Sequence, residues 1–175
     1  MSTSNVTALF CYGSNHIEQV RSRVNNFTLI SYKCELPFYK RIFAGRAESW
    51  QNGGVASIMY TGNPRNSCRG TYVFLTDDEF KKMDKFEGVY STNPYDKTRR
   101  INAYCRQNVL LKSQDNQLIN AIAYVKTDDT WLNYPSSEYL KSCYKNMKPF
   151  WPDLDGDNFI SIYDNDHNLH GRYTI

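Results

Sequence analysis

Apolar residues recur along the chain with two periods, which separate strands from helices. Residues 6–12 (V-T-A-L-F-C-Y) form a short apolar run that stops at Gly13-Ser14-Asn15, the pattern of a buried strand entering a tight loop. Residues 16–24 then place Ile17, Val20 and Val24 on one helical face. Residues 27–32 alternate like a strand, and 36–43 read as a further extended piece with Pro37 near its start. Trp50-Gln-Asn-Gly-Gly54 is a turn signal, 55–60 a strand, 62–66 a loop and 70–75 a second β-rich strand. Thr76-Asp-Asp-Glu79 has the spacing of a capping box, with a hydroxyl for one orphan N–H and a carboxylate reaching back for another, so a helix is predicted from 77 to about 86. After a loop at 88–94, residues 100–111 and 118–125 read as paired strands around the 113–116 turn. Pro135-Ser-Ser opens a last helix, with Leu140, Cys143, Tyr144 and Met147 as its apolar stripe and Pro149 and Pro152 beyond its end. Six or seven strands, many of them consecutive, with two or three short helices predict an α+β domain whose sheet is mixed or antiparallel and can close into a barrel.

At 175 residues, 41% hydrophobic and 15% aromatic, the chain is one domain with ample material for a core, which excludes a disordered chain and a disulfide-stapled miniature. The formal net charge of +3 is too small to point to nucleic acid or a membrane surface. It is unevenly spread: residues 1–151 carry 20 basic and 13 acidic side chains, residues 152–175 one basic and five acidic. Residues 1–151 are accordingly read as the functional domain and 152–175 as an acidic extension, whose 159–163 segment (F-I-S-I-Y) is expected to add a strand or pack on the body. The five cysteines (Cys11, Cys34, Cys68, Cys105, Cys143) are odd in number and widely spaced, predicting reduced, mostly buried thiols. The start of the chain carries no secretory signal and no apolar run approaches the roughly 20 residues a membrane helix needs, so a cytoplasmic location is expected and the sequons at Asn5 and Asn26 are read as chance.

Candidate chemistry gathers at a few places. In Tyr12-Gly13-Ser14-Asn15, between a strand and a helix start, backbone N–H groups can converge on a carboxylate or an oxyanion; the plainer alternative is a turn with Asn15 as helix cap. Glu87 stands before Gly88 at a helix C-terminus, where the partial charge is already negative. That placement raises a carboxyl pKa and suits a general acid/base, the alternative being a solvated Glu at a frayed end. Trp50-x-x-Gly53-Gly54-x-Ala56-x-Ile58 reads as a strand approached closely by another backbone. Tyr139 on the last helix, just off its stripe, can turn its phenol into a pocket or simply pack; Tyr90 and Tyr95 are equally open. His16, His167 and His170 form no metal-spaced set, and Asp153-Leu-Asp155-Gly-Asp157 departs from a calcium loop, with Gly156 fourth rather than sixth and Asp164 at position twelve. No nucleophile elbow or nucleotide-binding glycine motif occurs.

Taken in order and spacing, Tyr12-Gly-Ser-Asn15, Trp50-x-x-Gly-Gly-x-Ala-x-Ile58, Gly70-x-x-x-x-Leu75, Met83-Asp84-x-x-Glu87-Gly88, Ala123-Tyr-Val125 and Pro135-Ser-Ser-Glu-Tyr139 resemble the γ-glutamylcyclotransferase family, over about residues 6–148. The resemblance implies a small mixed β-barrel with short flanking helices. It implies Glu87 as catalytic acid/base, the loop of Gly13, Ser14, Asn15, His16 and Ile17 with the preceding Tyr12 as the γ-glutamyl site, and Tyr139 as a substrate-holding residue. His16-Ile17 departs from relatives, which more often carry leucine after the Asn. The implied reaction closes 5-oxoproline by intramolecular attack and calls for no metal or cofactor; the expected partner is a small γ-glutamyl molecule, with a homodimer compatible with an enzyme of this size. Tyr-Gly-Ser-Asn favours the type acting on γ-glutamyl amino acids over those acting on γ-glutamylamines or glutathione. The competing reading is a non-catalytic binding or regulatory domain on the same fold.

Overall fold

The computed structural model describes residues 5–89, 104–126 and 132–154. Within them the order is β1 (Val6–Cys11), α1 (Ile17–Val24), β2 (Tyr32–Pro37), β3 (Tyr39–Ala47), a 3-10 turn (Glu48–Trp50), β4 (Gly53–Tyr60), β5 (Ser67–Thr76), α2 (Asp77–Glu87), β6 (Tyr104–Ser113), β7 (Leu118–Lys126) and α3 (Ser137–Met147). Five strands pair in a ring, β1-β5-β2-β6-β7 and back to β1, while β3 and β4 form a separate hairpin. All ring pairs are antiparallel except β1 with β7, where Ala8, Leu9 and Phe10 run alongside Ala121, Ile122 and Ala123. The fold is the expected α+β mixed barrel with short flanking helices.

Strand alternation divides the core. Ala8 and Phe10 of β1 face the barrel interior with Leu36, Tyr72, Leu111, Ala121 and Ala123. Leu9 and Cys11 face outward with Val73, Leu75 and Tyr124, against Val20 and Val24 of α1 and Phe80 and Met83 of α2. Burying Phe80 and Met83 against that outer face contributes about 1.5–3 kcal/mol for each side chain and fixes α2 on the barrel. α2 starts on the predicted capping box: Glu79 N–H donates to Thr76 Oγ1 at 3.3 Å, and Thr76 N–H to Glu79 Oε2 at 2.8 Å. The five cysteines are free, four of them buried, and burial pushes the Cys11 and Cys143 thiols up to about 12, leaving them neutral packing groups. No helix among the described residues is long and apolar enough to cross a membrane.

Two predicted strands are corrected. Residues 27–31 are not a strand: Phe27 and Ile30 are exposed, Asn26 Oδ1 accepts from Thr28, and Arg21 Nε donates to Leu29 O at 2.9 Å. Side-chain bonds to the backbone there replace ladder bonds, and β2 starts only at Tyr32. The piece expected at 36–43 is two strands of different sheets. Phe38, at φ +69°, breaks it; its N–H donates to Asn66 O and its carbonyl accepts from Thr61 N–H, both at 2.8 Å. The buried face of α3 also differs from the expected stripe, running through Tyr139, Cys143, Asn146 and Met147, so Tyr139 lies on it rather than beside it. Tyr90, Tyr95, the expected strand start at 100–103 and the 159–163 segment fall outside the described residues. The packed body continues through Leu154, which is buried in the barrel core, while Asp153 pairs with Arg69 at 2.7 Å.

The double glycine of β4 behaves as a close-approach site. Residues 132–134 run against the hairpin, with Asn133 N–H on Phe43 O and Gly54 N–H on Tyr134 O. A Cβ on Gly54 would stand 2.1 Å from Asn133 O, a backbone atom that cannot swing aside. Gly54→Ala will therefore destabilise the protein by about 1–3 kcal/mol, measured as a lower urea midpoint at unchanged m-value.

Candidate active site

A cavity of about 280 Å³ opens at the end of the barrel where β1 and β7 finish, roofed by α2, α3 and the β3–β4 hairpin. Because β7 runs parallel to β1, the loop that leaves β1 and the last residues of β7 reach the same end. Tyr12 cross-links them by donating its hydroxyl proton to Tyr124 O.

Buried side chains hold the loop by its carbonyls. Asn146 of α3 donates from Nδ2 to Cys11 O (3.1 Å) and Gly13 O (3.3 Å), and its Oδ1 accepts from the Thr71 hydroxyl at 2.9 Å. Arg41 of β3 donates from Nε to Tyr12 O at 2.7 Å and from Nη2 to Arg69 O. Three consecutive carbonyls are thus fixed by groups drawn from β3 and α3, which leaves the loop little freedom. A Cβ on Gly13 would lie 2.9 Å from Ala56 Cβ and 3.1 Å from the Tyr139 hydroxyl, so this position has to be small. Tyr139 itself accepts from Ala56 N–H at 2.8 Å, with Trp50 edge-on at 5.1 Å between ring centres. Tyr104 donates to the Ala56 carbonyl at 3.2 Å. The two phenols therefore bracket one residue of β4.

Glu87 is the last residue of α2. Gly88, at φ +69°, caps the helix and donates to Asp84 O, a left-handed conformation that glycine takes without strain. One turn earlier Asp84 is clamped to the barrel by both Arg106 Nε and Nη2 (2.9 and 2.8 Å) and by the Tyr124 hydroxyl at 2.8 Å, which fixes the final turn. The Glu87 side chain is 11% exposed. Its Oε1 accepts from Asn15 Nδ2 at 3.0 Å and from Arg23 Nη1 at 3.1 Å, and the same Nη1 donates to Asn15 Oδ1 at 2.9 Å. Among the described residues no bond falls on Oε2. Burial raises the Glu87 pKa above the usual carboxylate range, and the nearby Asp84 charge adds to this. The Arg23 charge and the bonds from Asn15 and Arg23 pull it back only in part.

The sequence-predicted residues divide into two groups. Tyr12, Gly13, Ser14, Asn15, Glu87 and Tyr139 all line the one cavity. His16 and Ile17 do not: His16 caps α1, its Nδ1 accepting from Gln19 N–H at 3.3 Å, and Ile17 packs on the outer core. Burial lowers the His16 pKa, against the Glu18 carboxylate 3.0 Å from Nδ1, which raises it. With His16 as cap, Asn15 is free to reach Glu87 instead of closing the helix. Arg23, Arg46, Lys126 and Tyr104 also line the cavity and were not predicted. Arg23 was accessible in principle, since it lies two helical turns beyond the cap and so on the same face. Nothing local in the sequence marks the other three. Among the described residues, no three His, Cys, Asp or Glu side chains are grouped to hold a metal ion.

No protein-family model matches the chain, and no curated protein matches it in sequence. Solved structures do. A γ-glutamyl cyclotransferase superposes with a TM-score of 0.70 at 21% identity, over 91% of this chain and 87% of its own. An uncharacterised protein from Homo sapiens gives 0.69 at 21% identity, over 90% and 86%. A yeast γ-glutamyl cyclotransferase specific to glutathione gives 0.58 at 10% identity, over 96% of each chain. The chain has the γ-glutamyl cyclotransferase fold.

The electrostatics of the site carry a direct consequence. Arg23→Met removes the main influence that lowers the Glu87 pKa, so the Glu87 carboxyl will titrate at higher pH in the variant than in the native protein. Carbon-13 NMR of the side-chain carboxyl through a pH series reads the shift.

Proposed function

We propose that the protein is a γ-glutamylcyclotransferase that releases 5-oxoproline and a free amine from γ-glutamyl amino acids, with Glu87 as general base and then general acid. The observation that carries this reading is Glu87 itself: a carboxyl of raised pKa in the wall of a cavity it shares with the Tyr12–Asn15 loop, bonded through Oε1 and with no bond on Oε2 among the described residues.

A γ-glutamyl substrate brings its own nucleophile. Its α-ammonium first gives a proton to Glu87 Oε2, and the amine nitrogen bonds to the γ-carbonyl carbon to close a five-membered ring. The ring nitrogen of the adduct still carries the second proton. Glu87 returns the first proton to the leaving nitrogen while the original amide C–N bond breaks; the carboxylate so freed takes the second proton from the ring nitrogen and passes it to the released amine, which departs as an ammonium. Amides of the Gly13–Asn15 loop stabilise the intermediate oxyanion, an effect of about 3–4 kcal/mol per donor in comparable sites. The nucleophile is already tethered to its target, so the site has mainly to fold the substrate correctly. Residues 1–151 carry this activity in the proposal.

Incubation with γ-glutamyl-alanine, glutathione and γ-glutamyl-ε-lysine, with 5-oxoproline as readout, tests the reading and separates the substrate types; release from none of them would leave a binding domain on this fold. Glu87→Gln will lower kcat by about 10²–10⁴-fold with the fold kept, as read by circular dichroism, since the amide oxygen can still accept from Asn15 and Arg23. Tyr139→Phe will act mainly on KM, and will cost about 1–3 kcal/mol of stability because the buried Ala56 N–H loses its acceptor; steady-state kinetics and chemical denaturation measure the two parts.

A further inference from the structure

The head of an α-amino acid presents a carboxylate and an ammonium on one carbon. A surface that matches it holds a cation and an anion side by side, each with hydrogen-bonding capacity to spare. Arg23 and Glu87 form such a pair in the cavity wall, 3.1 Å apart and 23% and 11% exposed. Of the Arg23 guanidinium, only Nη1 is hydrogen-bonded among the described residues, to Asn15 and Glu87. Phe86 covers one side of the group, with 5.2 Å from the guanidinium carbon to the ring centre. Glu87 is likewise bonded through Oε1 alone. Among the described residues that line the wall, Glu87 is the only carboxylate.

We propose that Arg23 reads the free α-carboxylate of the substrate, so that the site accepts γ-linked glutamyl groups with that carboxylate exposed and discriminates against the same molecules with it amidated. The proposal rests on the cyclotransferase reading above. A planar guanidinium suits a carboxylate in a two-pronged bond, which a lysine at the same place cannot make. With the carboxylate on Arg23, the amine on the neighbouring substituent of the same carbon falls beside Glu87 Oε2. The incoming carboxylate also competes with Glu87 for Nη1, which loosens the bond that holds the base.

The test compares γ-glutamyl-alanine with its α-carboxamide, following alanine release in the native protein, Arg23→Met and Arg23→Lys. Amidation also changes the basicity of the amine, so the quantity read is the ratio of kcat/KM for the two substrates within each protein. The native protein is expected to prefer the carboxylate by about 10- to 150-fold, the span of a charge-assisted hydrogen bond. The ratio should fall to within about threefold in Arg23→Met, and Arg23→Lys should lie between, since it keeps the charge without the fork. A native ratio near one overturns the proposal. So does a ratio that persists in Arg23→Met, because Arg23 would then act only through Glu87. If Arg23→Met does not fold, as judged by circular dichroism, Arg23→Lys decides: an undiminished native ratio in that variant overturns the proposal. Alanine release from neither substrate by the native protein sinks the cyclotransferase reading and this one with it, whereas an active native protein without the expected ratios sinks this one alone.

Discussion

Holding Glu87 out of water at the negative end of α2 is the constraint around which the cavity is arranged. Burial and the helix terminus both disfavour the ionised carboxylate, so the site must supply a counter-charge and donors or lose the anion altogether. Arg23 and Asn15 supply them from α1 and the loop before it, and both converge on a single oxygen. This sets the placement of α1, whose start is capped by His16 so that Asn15 stays available. It also demands that the last turn of α2 not fray, and the clamp of Arg106 and Tyr124 on Asp84 prevents that.

A second set of bonds serves the loop. The carbonyls of Cys11, Tyr12 and Gly13 end in Asn146 and Arg41, two of the few buried polar side chains among the described residues. An unpaired polar group at such depth is costly, and each of these is satisfied by backbone of the loop or its neighbours. The loop is therefore rigid through its outer contacts rather than through a regular element of its own, and its shape is fixed before any ligand arrives.

What the sequence disclosed follows the range of the interactions. The α2 capping box, the strand that runs into Tyr12, the close approach at Gly53-Gly54 and the placement of Glu87 before Gly88 depend on neighbours a few residues away, and all were legible. The alternation at 27–32 misled because local side-chain bonds from Asn26 and Arg21 satisfied that backbone instead. The break at Phe38 left no mark, since neither a glycine nor an asparagine stands at that left-handed position. Within the site, the residues carried by motifs came together in one cavity, whereas Arg23 meets Glu87 across 64 positions and Asn15 meets it across 72. Contacts of that span depend on barrel closure, which no window of sequence contains. His16 and Ile17 were grouped with the loop by adjacency, but the helix claims both.

The bond from Asn146 to the Cys11 carbonyl spans 135 positions and joins β1 to α3. A chain made from its N-terminus exposes the Tyr12–Asn15 segment long before its anchor exists. The segment acquires its fixed shape only after α3 has been synthesised and docked. Any competence of the cavity therefore waits until α3 has docked, and a chain halted between residues 88 and 145 already carries the Tyr12–Asn15 segment and Glu87 while the carbonyls of Cys11 and Gly13 still lack their anchor.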